Sequence, residues 1–302
     1  MDSTYKKRIL ILGGNGMIGH KIYQVLVTKF EDTWVLLRKD HKTLNYKYIY
    51  NYNKIIDNFD LTNFETLNNL LININPDIII NASGITIRRG ISDNVYKTIL
   101  LNSALPHFLN NYINLSSSKK LIHFSTDCVF SGNDGAYLEN SNLDALDLYG
   151  KAKGLGEIIG NNTITLRGSM IGRELENNTE LLEWFLRQNN NTVIGYSNVI
   201  YSGITTLKMA EYILKIIVDH PNMNGIYNVS SKPISKYNLL KLFNTTFNYN
   251  VNILKNDDYV SNKNLLSTKF FTETSLKQPD WIDLVKDLAA DSKFYSKLYK
   301  KK

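Results

Sequence analysis

Two side chains suited to proton transfer, Tyr149 and Lys153, lie four residues apart in the run Tyr-Gly-Lys-Ala-Lys. At this spacing on a helix, both side chains point to the same side. A free tyrosine has a pKa of about 10 and is a poor acid at neutral pH, whereas a neighbouring ammonium group favours the phenolate. The pair is therefore a candidate proton donor to an alcohol that forms beside it.

A third candidate is Thr126. The apolar run Lys120–Phe124 is predicted to be a strand, and it leads through Ser125 to this threonine. Open parallel sheets bind their ligands beyond the carboxyl ends of the strands. The threonine hydroxyl is therefore expected at the ligand-binding edge, close to the tyrosine. The alternative interpretation of Thr126 is a simple cap at the end of the strand.

A glycine-rich loop, Gly13–Gly19, lies between an apolar run and a helical pattern near the N-terminus. Its glycines fit both the dinucleotide fingerprint Gly-x-Gly-x-x-Gly and the spacing Gly-x-x-Gly-x-x-Gly of short-chain dehydrogenases. Glycine lets the backbone turn sharply and approach a pyrophosphate at the N-terminus of the helix. This context favours dinucleotide binding over an ordinary glycine-rich turn. The predicted cofactor contacts in the loop are Gly13, Asn15, Gly16, Met17, Ile18 and Gly19.

The end of the second predicted strand, Thr33–Leu37, should lie beside the adenosine ribose of a bound dinucleotide. An acidic residue at this point would favour NAD by bonding the ribose 2′-hydroxyl. Here Arg38 and Lys39 come first, and a guanidinium group matches a 2′-phosphate well. The sequence therefore predicts NADP(H) as the cofactor, with a solvated basic turn as the alternative.

Short apolar runs alternate with helical patterns through the first half of the chain. This alternation predicts an α/β fold, a Rossmann-like doubly wound parallel sheet with helices on both faces. We expect a cofactor-binding domain over residues 1–167, completed by a strand within about 195–230. Residues 168–194 and 231–302 should form a smaller C-terminal substrate lobe. Because no Pro/Gly/Ser-rich linker separates the two parts, they should share a cleft.

The composition of the 302 residues, 43% hydrophobic and 21% charged, is ordinary for a soluble globular protein. The single cysteine excludes an internal disulfide framework and fits a reducing compartment. No apolar run approaches the roughly 20 residues of a membrane span, and no signal-peptide core is present, so we expect a cytoplasmic protein without a membrane partner.

The net charge of +7 favours attraction of small anions. Nucleic acid is not an expected partner, because no zinc spacing or RNA-binding signature accompanies the basic residues. The five histidines are scattered, and none is expected to form a metal-ligand cluster with cysteine or acidic residues, which predicts no catalytic metal.

At the level of motifs the chain resembles the extended short-chain dehydrogenase/reductase family. More narrowly, it resembles the dTDP-4-dehydrorhamnose reductase group. The motifs that carry this resemblance are Gly13–Gly19, Asp60–Thr62, Asn81–Gly84, Ser125–Gly132 and Tyr149–Glu157. Together they span the first 160 residues in the order and spacing of the family.

The resemblance implies roles for individual residues. Thr126 would hydrogen-bond the substrate carbonyl, and Tyr149 would donate the proton. Lys153 would hold the nicotinamide ribose and lower the pKa of the tyrosine. Further cofactor contacts would come from Asp60, Leu61, Asn81, Ala82, Ser83, Gly84 and Asn102. Relatives are often dimers, so a homodimer is left open.

Cys128 departs from the tyrosine that the rhamnose-type reductases commonly have at this position. The related GDP-fucose synthases have a cysteine two residues after their hydroxyl residue, where it epimerises the sugar before reduction. Cys128 stands two residues after Thr126, which suggests a coupled 3-epimerase activity. Those enzymes use a histidine as partner acid, however, and no histidine occurs between His123 and His220. A buried, inert cysteine is the alternative.

Two segments of the predicted lobe, Arg167–Leu175 and Leu181–Leu186, resemble reductases that act on UDP-linked 2-acetamido-2,6-dideoxy-4-hexuloses. Arg173 would pair with a diphosphate and Trp184 would stack on a base or sugar, with an ion pair and a core aromatic as the alternatives. Asp127, beside Thr126, is a further candidate substrate contact. The expected reaction is NADPH-dependent reduction of a nucleotide-linked 4-keto-6-deoxy sugar, with the UDP-linked amino sugar ahead of dTDP-4-dehydrorhamnose.

Two other functions are left open by the sequence. The beta subunit of methionine adenosyltransferase, a non-catalytic regulatory subunit, has the same expected fold and similar motifs. A sugar-nucleotide epimerase or dehydratase would instead keep NAD bound through turnover. Dehydratases of this family usually carry acidic residues beside the threonine, and Cys128 after Asp127 argues against that function.

Overall fold

The chain folds into alternating strands and helices, seen in a computed structural model that describes residues 5–44, 46–86, 94–176 and 178–299. The strands are β1 (Ile9–Leu12), β2 (Thr33–Leu36), β3 (Ile55–Ile56), β4 (Ile78–Asn81), β5 (Lys120–Phe124), β6 (Thr163–Arg167), β7 (Met170–Ile171), β8 (Thr192–Tyr196), β9 (Val199–Tyr201), β10 (Ile204–Thr205), β11 (Gly225–Asn228), β12 (Ile234–Ser235), β13 (Asn252–Asn256) and β14 (Ser261–Asn262). The helices are α1 (Met17–Leu26), α2 (Phe64–Ile74), α3 (Val95–Ile99), α4 (Leu105–Ile113), α5 (Leu148–Leu155), α6 (Leu181–Leu186), α7 (Thr206–Asp219), α8 (Lys236–Thr246), α9 (Thr268–Thr274) and α10 (Trp281–Tyr299).

The central sheet of the described residues has seven strands in the order β11-β6-β5-β4-β1-β2-β3. All of its pairings are parallel, and β1 lies between β2 and β4. The strand order therefore reverses at β1, and in such sheets the ligand crevice lies at this reversal, beyond the carboxyl ends of the strands. The predicted Rossmann-like doubly wound sheet is confirmed.

Helices cover both faces of this sheet, which explains why every residue of β1 and β4 is buried. Successive side chains of a strand point to opposite faces. Accordingly, Ile9 and Ile11 belong to the hydrophobic cluster that includes residues of α1 and α7. Leu10 and Leu12 belong to the cluster that includes residues of α2 and α4. The sheet is thus held between two apolar layers, and its carboxyl edge has a fixed position.

Short strands lie outside the central sheet: β8 pairs with β13, and β9 pairs with β12 and β14. The sequence did not predict β8 and β13, because each has only five residues and β13 buries none of them fully. The strand predicted within residues 195–230 is present as β11, which returns to the sheet beside β6. Among the described residues, no helix has both the length and the apolarity that a bilayer crossing needs.

The last helix, α10, packs against α1 through a buried histidine. The Nδ1 of His20 lies 2.7 Å from the Gly16 carbonyl oxygen, and its Nε2 lies 2.6 Å from the Tyr295 hydroxyl. Burial lowers the pKa of His20 to about 3, so the ring is neutral at physiological pH. Because a carbonyl can only accept, Nδ1 donates to Gly16, and Nε2 accepts from Tyr295. A 2.7 Å ion pair between Lys21 and Asp291 adds to this contact.

Candidate active site

Two adjoining pockets lie along the carboxyl edge of the sheet. Both are lined by Gly16 and by residues 82–85, so they form one continuous cleft. The first pocket also contains Met17, Ile18, Asn102, Thr126, Cys128, Tyr149 and Lys153. The second also contains Gly13, Asn15, Arg38, Asp60 and Leu61. The structure therefore brings the three predicted catalytic side chains together, next to the glycine loop.

The glycine loop needs its glycines for close backbone contacts. Gly13 has a φ of +77°, and a Cβ there would lie 2.9 Å from both the Ala82 carbonyl oxygen and the Ser83 Cα. A Cβ on Gly19 would lie 2.2 Å from the Gly13 carbonyl oxygen. Gly19 lines neither pocket, and its role is to let α1 approach the loop. The loop can therefore present its backbone to a ligand at the N-terminus of α1.

Asn81, the last residue of β4, is fully buried and acts on the loop that follows it. Its Oδ1 accepts hydrogen bonds from the Ser83 nitrogen at 3.2 Å and the Ser83 hydroxyl at 2.5 Å. Its Nδ2 lies 3.2 Å from the Nδ1 of His123, whose pKa burial holds well below its usual value. Asn81 therefore positions Ser83 and Gly84, which line both pockets.

Asn102 lies in a π-helical turn, Leu100–Ala104, between α3 and α4, where the sequence predicted one continuous helix. Its Oδ1 accepts from the Ile85 nitrogen and its Nδ2 donates to the Ile85 oxygen, both at 2.9 Å. The wider turn aims this buried amide at the loop after β4. Asn102 lines the first pocket, and the two hydrogen bonds of its amide hold the loop after β4 in place.

Thr126 is buried and begins the short 3₁₀ turn Asp127–Val129 after β5. Its hydroxyl accepts from the Cys128 nitrogen at 3.1 Å and can donate to the Asp127 carboxylate at 3.1 Å. It also lies close enough to the Tyr149 phenol to oppose the rise in the pKa of that group. Thr126 therefore caps the turn and faces the tyrosine at the same time.

Tyr149, at the start of α5, is half-buried, and burial raises the pKa of its phenol above the ordinary value. Negative charge on Cys128, Asp127 or Glu180 would raise this pKa further. The Lys153 ammonium group donates to the Phe124 carbonyl, and its predicted lowering of the tyrosine pKa stays a prediction. The phenol stays protonated at neutral pH.

Lys153 is buried one helical turn after Tyr149, and its ammonium group donates to the carbonyl of Phe124 at the end of β5. Burial lowers the pKa of Lys153 to about 8, although the negative charge of Glu157 opposes this. Glu157 accepts from the Arg167 guanidinium at 2.6 and 2.7 Å and from the Ser125 hydroxyl at 2.6 Å. A buried ion pair thus lies behind the strand ends that carry the site.

Cys128 lines the first pocket, and burial together with the neighbouring Asp127 charge raises the pKa of its thiol to about 12. Asp127 is buried and lines neither pocket. Burial raises the pKa of its carboxyl group, while Lys263 and Lys236 act in the opposite direction. The thiol therefore faces the pocket in its protonated form, and Asp127 lies behind it.

At the other end of the cleft, Arg38 and Asp60 line the second pocket, as does Leu61. The Asp60 carboxylate accepts from the Thr62 nitrogen at 3.0 Å and hydroxyl at 2.8 Å, which lowers its pKa. Asp40, the first acidic residue after Arg38, caps the next turn by accepting from the Lys42 nitrogen at 2.8 Å. A guanidinium group, and not Asp40, therefore lines the pocket after β2.

Arg173 and Trp184 line neither pocket. The Arg173 guanidinium forms a buried ion pair with Glu183 at 2.6 Å, and its carbon lies 5.4 Å from the Tyr295 ring centroid. Trp184 packs against the main hydrophobic cluster. This placement favours structural roles for both side chains, and their predicted contacts with a substrate stay predictions.

The sequence missed several residues that line the cleft. Gly168, Ser169 and Met170 follow β6 and belong to the candidate substrate segment Arg167–Leu175, although the sequence analysis named none of the three as a contact. Glu180 in the first pocket and Glu176 in the second come from the segment before α6 and have no local signal in the sequence.

The expectation that no histidine joins acidic residues in a metal-type cluster is wrong for His41. One ligand-type atom from each of Asp40, His41 and Asp57 lies within 4.8 Å of the others. The His41 Nδ1 is hydrogen-bonded to Asp57, and the three residues line neither pocket. The hydrogen bond between His41 and Asp57 links two members of the cluster, which lies outside the cleft.

A Rossmann-like sheet whose cleft ends at a hydroxyl, a phenol and an ammonium group defines an oxidoreductase of the short-chain dehydrogenase/reductase type. A family model, the RmlD substrate binding domain, matches residues 7–249, and the chain belongs to this family. The predicted membership of the dTDP-4-dehydrorhamnose reductase-like group and the predicted enzyme class are confirmed.

Individual relatives agree with this family. A dTDP-4-dehydrorhamnose reductase of Aggregatibacter actinomycetemcomitans is 26% identical over 237 residues, which is 75% of this chain and 74% of the relative. The spore coat polysaccharide biosynthesis protein SpsK of Bacillus subtilis (strain 168) is 29% identical over 171 residues, or 54% of this chain and 58% of the relative.

Solved structures share the fold. The dTDP-4-dehydrorhamnose reductase of Bacillus anthracis str. Ames, in complex with NADP, has a TM-score of 0.78 at 20% identity and covers 95% of this chain and 100% of its own. The Bordetella bronchiseptica enzyme WbmG, in complex with NAD and UDP, has a TM-score of 0.77 at 15% identity and covers 96% of both chains.

Proposed function

We propose that this protein uses NADPH to reduce the 4-keto group of a nucleotide-linked 4-keto-6-deoxy sugar. The observation that carries the proposal is the single pocket that contains Thr126, Tyr149 and Lys153 together with the glycine loop. Its family and the name of its relative from Aggregatibacter actinomycetemcomitans support the reaction. A purely structural set of three such side chains would not need to face one cleft.

The cleft fits a dinucleotide along its whole length. A Cβ on Gly13 would fill the space over the loop after β4, so this position has to be glycine for a backbone cradle to form. Arg38 and Lys39 supply positive charge at the adenosine end, which supports NADP(H) over NAD(H). The buried ammonium of Lys153 would hold the nicotinamide ribose. When bound, the cofactor supplies the hydride.

The side chains of the protein would position the substrate ketone and supply the proton for its oxygen. Tyr149 is protonated at neutral pH, because even a free tyrosine has a pKa of about 10 and burial raises the pKa of this one further. Reduction of a ketone needs a general acid in this state, since the new alcohol oxygen must receive a proton. The Thr126 hydroxyl, which lies in the same pocket as the phenol, would bind the same carbonyl oxygen. The two groups would thereby hold the ketone next to its proton source.

Among nucleotide sugars, the observations now favour a dTDP-linked substrate. The case for a UDP-linked 2-acetamido sugar rested on the segment with Arg173 and Trp184, and neither side chain lines the cleft. The relative from Aggregatibacter actinomycetemcomitans supports dTDP-4-dehydrorhamnose. A panel of dTDP- and UDP-linked 4-keto sugars, each assayed with NADPH and NADH, decides between them. Faster turnover of the UDP-linked amino sugar would reverse this order.

Substitution of the proposed acid tests the reaction directly. Tyr149→Phe should lower kcat by about 10²- to 10⁴-fold, because only the proton donor is lost, while NADPH still binds. The matched control is Tyr112→Phe, which removes a phenol that donates to the Leu71 carbonyl at 2.8 Å, outside both pockets. Near-normal turnover of Tyr149→Phe would refute the assignment. NADPH binding without turnover of any sugar by the wild type would instead support a non-catalytic subunit.

Coupled 3-epimerisation is a second candidate, because the Cys128 thiol faces the same pocket as Thr126 and Tyr149. Epimerisation at C3 needs one group to remove the C3 proton and another to return a proton from the opposite face. A thiol with a pKa of about 12 suits the second role, so another group in the pocket would have to act as the base. The test is solvent deuterium at C3 of the product. We expect label in the wild type and a loss of label with retained reduction in Cys128→Ala. Unlabelled wild-type product would exclude epimerisation.

A further inference from the structure

The carboxylate of Glu176, from the second half of the chain, lies at the proposed adenosine end of the cofactor cleft. Glu176 lies in the segment between β7 and α6 and lines the second pocket together with Arg38. Its Oε1 accepts from the Lys39 ammonium at 3.1 Å, and its Oε2 lies 3.5 Å from the Asn15 amide nitrogen. The Glu176 side chain is only 15% exposed, so this carboxylate is held inside the cleft.

A second observation marks the same place as an anion site. The buried phenol oxygen of Tyr46 has no hydrogen-bond partner among the described residues. Glu176, Asn15 and Arg38 influence the pKa of this phenol, and burial together with the Glu176 charge raises it. Asn15 and Lys39 therefore donate to the Glu176 carboxylate, and the Tyr46 phenol lies close enough for the Glu176 charge to act on it.

We propose that Glu176 is a specificity-determining residue of the cofactor cleft. It reduces the preference of the cleft for NADP(H), whose adenosine ribose carries a 2′-phosphate, over NAD(H), whose ribose does not. The carboxylate neutralises one of the two positive charges, Arg38 and Lys39, that a 2′-phosphate would use. A phosphate monoester carries a charge of about −1.5 to −2 at neutral pH, so it is repelled by Glu176 and competes with it for Lys39. An unphosphorylated ribose meets no such repulsion, and its 2′-hydroxyl can donate to a carboxylate.

This inference rests on the proposed NADPH-dependent function and changes its cofactor range. Arg38 by itself favours NADPH over NADH. Glu176 reduces this difference in affinity, so the wild type should also bind NADH. Glu176 reaches the cofactor from the segment that leads to Glu180 in the first pocket. The residue that sets cofactor choice therefore belongs to the C-terminal part of the chain, outside the motif after β2.

The experiment compares dissociation constants of NADPH and NADH for the wild type and Glu176→Gln, from nicotinamide fluorescence without any sugar. Glu176→Gln keeps the shape and removes the charge. We expect NADPH to bind about tenfold more tightly, about 1.4 kcal/mol, with NADH binding unchanged or weaker. The matched control is Glu211→Gln, which removes an exposed carboxylate paired with Lys208 on α7 and should leave both constants unchanged.

The outcomes separate this inference from the proposed function. If the ratio of the NADPH and NADH dissociation constants were the same in Glu176→Gln as in the wild type, or if NADPH bound more weakly, the inference would be overturned. Glu176 would then serve only to position the Lys39 side chain. If the wild type bound neither nucleotide, the proposed function and the inference would both fail. Glu176→Ala serves as a second variant if the amide forms a new bond with Lys39, and it should shift the ratio in the same direction.

Discussion

The buried ion pair between Glu157 and Arg167 should dominate the stability of the region behind the active site. The side chains are 4% and 3% exposed, and the guanidinium donates twice to the carboxylate. Glu157→Gln leaves a buried cation without its counter-ion. Removal of one partner of such a pair typically costs about 3–5 kcal/mol. Since domains are stable by only about 5–15 kcal/mol, this is a large share of the free energy of unfolding.

The measurement is equilibrium urea unfolding of the wild type and variants, without cofactor. The matched control is Lys232→Gln, because the Lys232–Asp280 pair is 64% and 44% exposed at 3.5 Å, and such pairs contribute less than about 1 kcal/mol. The double variant Glu157→Gln/Arg167→Met removes both charges and should recover most of the loss. If Glu157→Gln cost no more than the control, the reasoning about buried charge at this position would be refuted.

The remaining predictions concern the cofactor end of the site. Lys153 should lose its proton as the pH rises through about 8, so NADPH affinity should decline above that pH. Lys153→Arg, which stays charged, should not show this decline within the alkaline range; an identical pH profile would exclude Lys153 as its source. Gly13→Ala forces a side chain into a φ of +77° and a 2.9 Å contact with Ala82, so it should cost about 1–2 kcal/mol of stability and weaken NADPH binding. Gly154→Ala is its control, because Gly154 lies near the C-terminal end of α5, where the closest contact of the new Cβ would be the Leu143 side chain at 3.0 Å. It should cost less stability than Gly13→Ala and leave NADPH binding unchanged; equal effects of the two substitutions would contradict the proposed role of Gly13 in the backbone cradle.

Local sequence signals were sufficient for the sheet and for the residues at its carboxyl edge. The apolar runs around Ile9 and Ile79 and the spacing of the glycine loop depend on neighbours in sequence, and the structure has them where expected. The strands β8 and β13 were missed because each has only five residues, and β13 has no fully buried residue to give an apolar pattern. A helix was correctly expected around Asn102, but not the π turn that aims its side chain.

The electrostatics of the site depend on contacts between distant segments, which no local pattern contains. Spacing suggested that Lys153 would lower the pKa of Tyr149, yet burial raises it and the lysine bonds to the end of β5. Glu176 lies 137 residues from Lys39 in sequence, and nothing near either residue indicates the other. Burial and pairing of this kind are properties of the folded chain.

The hydrogen bond between His20 and Tyr295 joins positions 275 residues apart. During synthesis the ribosome delivers the glycine loop first and its support from α10 near the end. A nascent chain that stops before Tyr295 carries the complete nucleotide motif but lacks the hydroxyl that fixes His20 beneath Gly16. The contact between α1 and α10 can therefore form only after the residues that separate His20 from Tyr295 have been made.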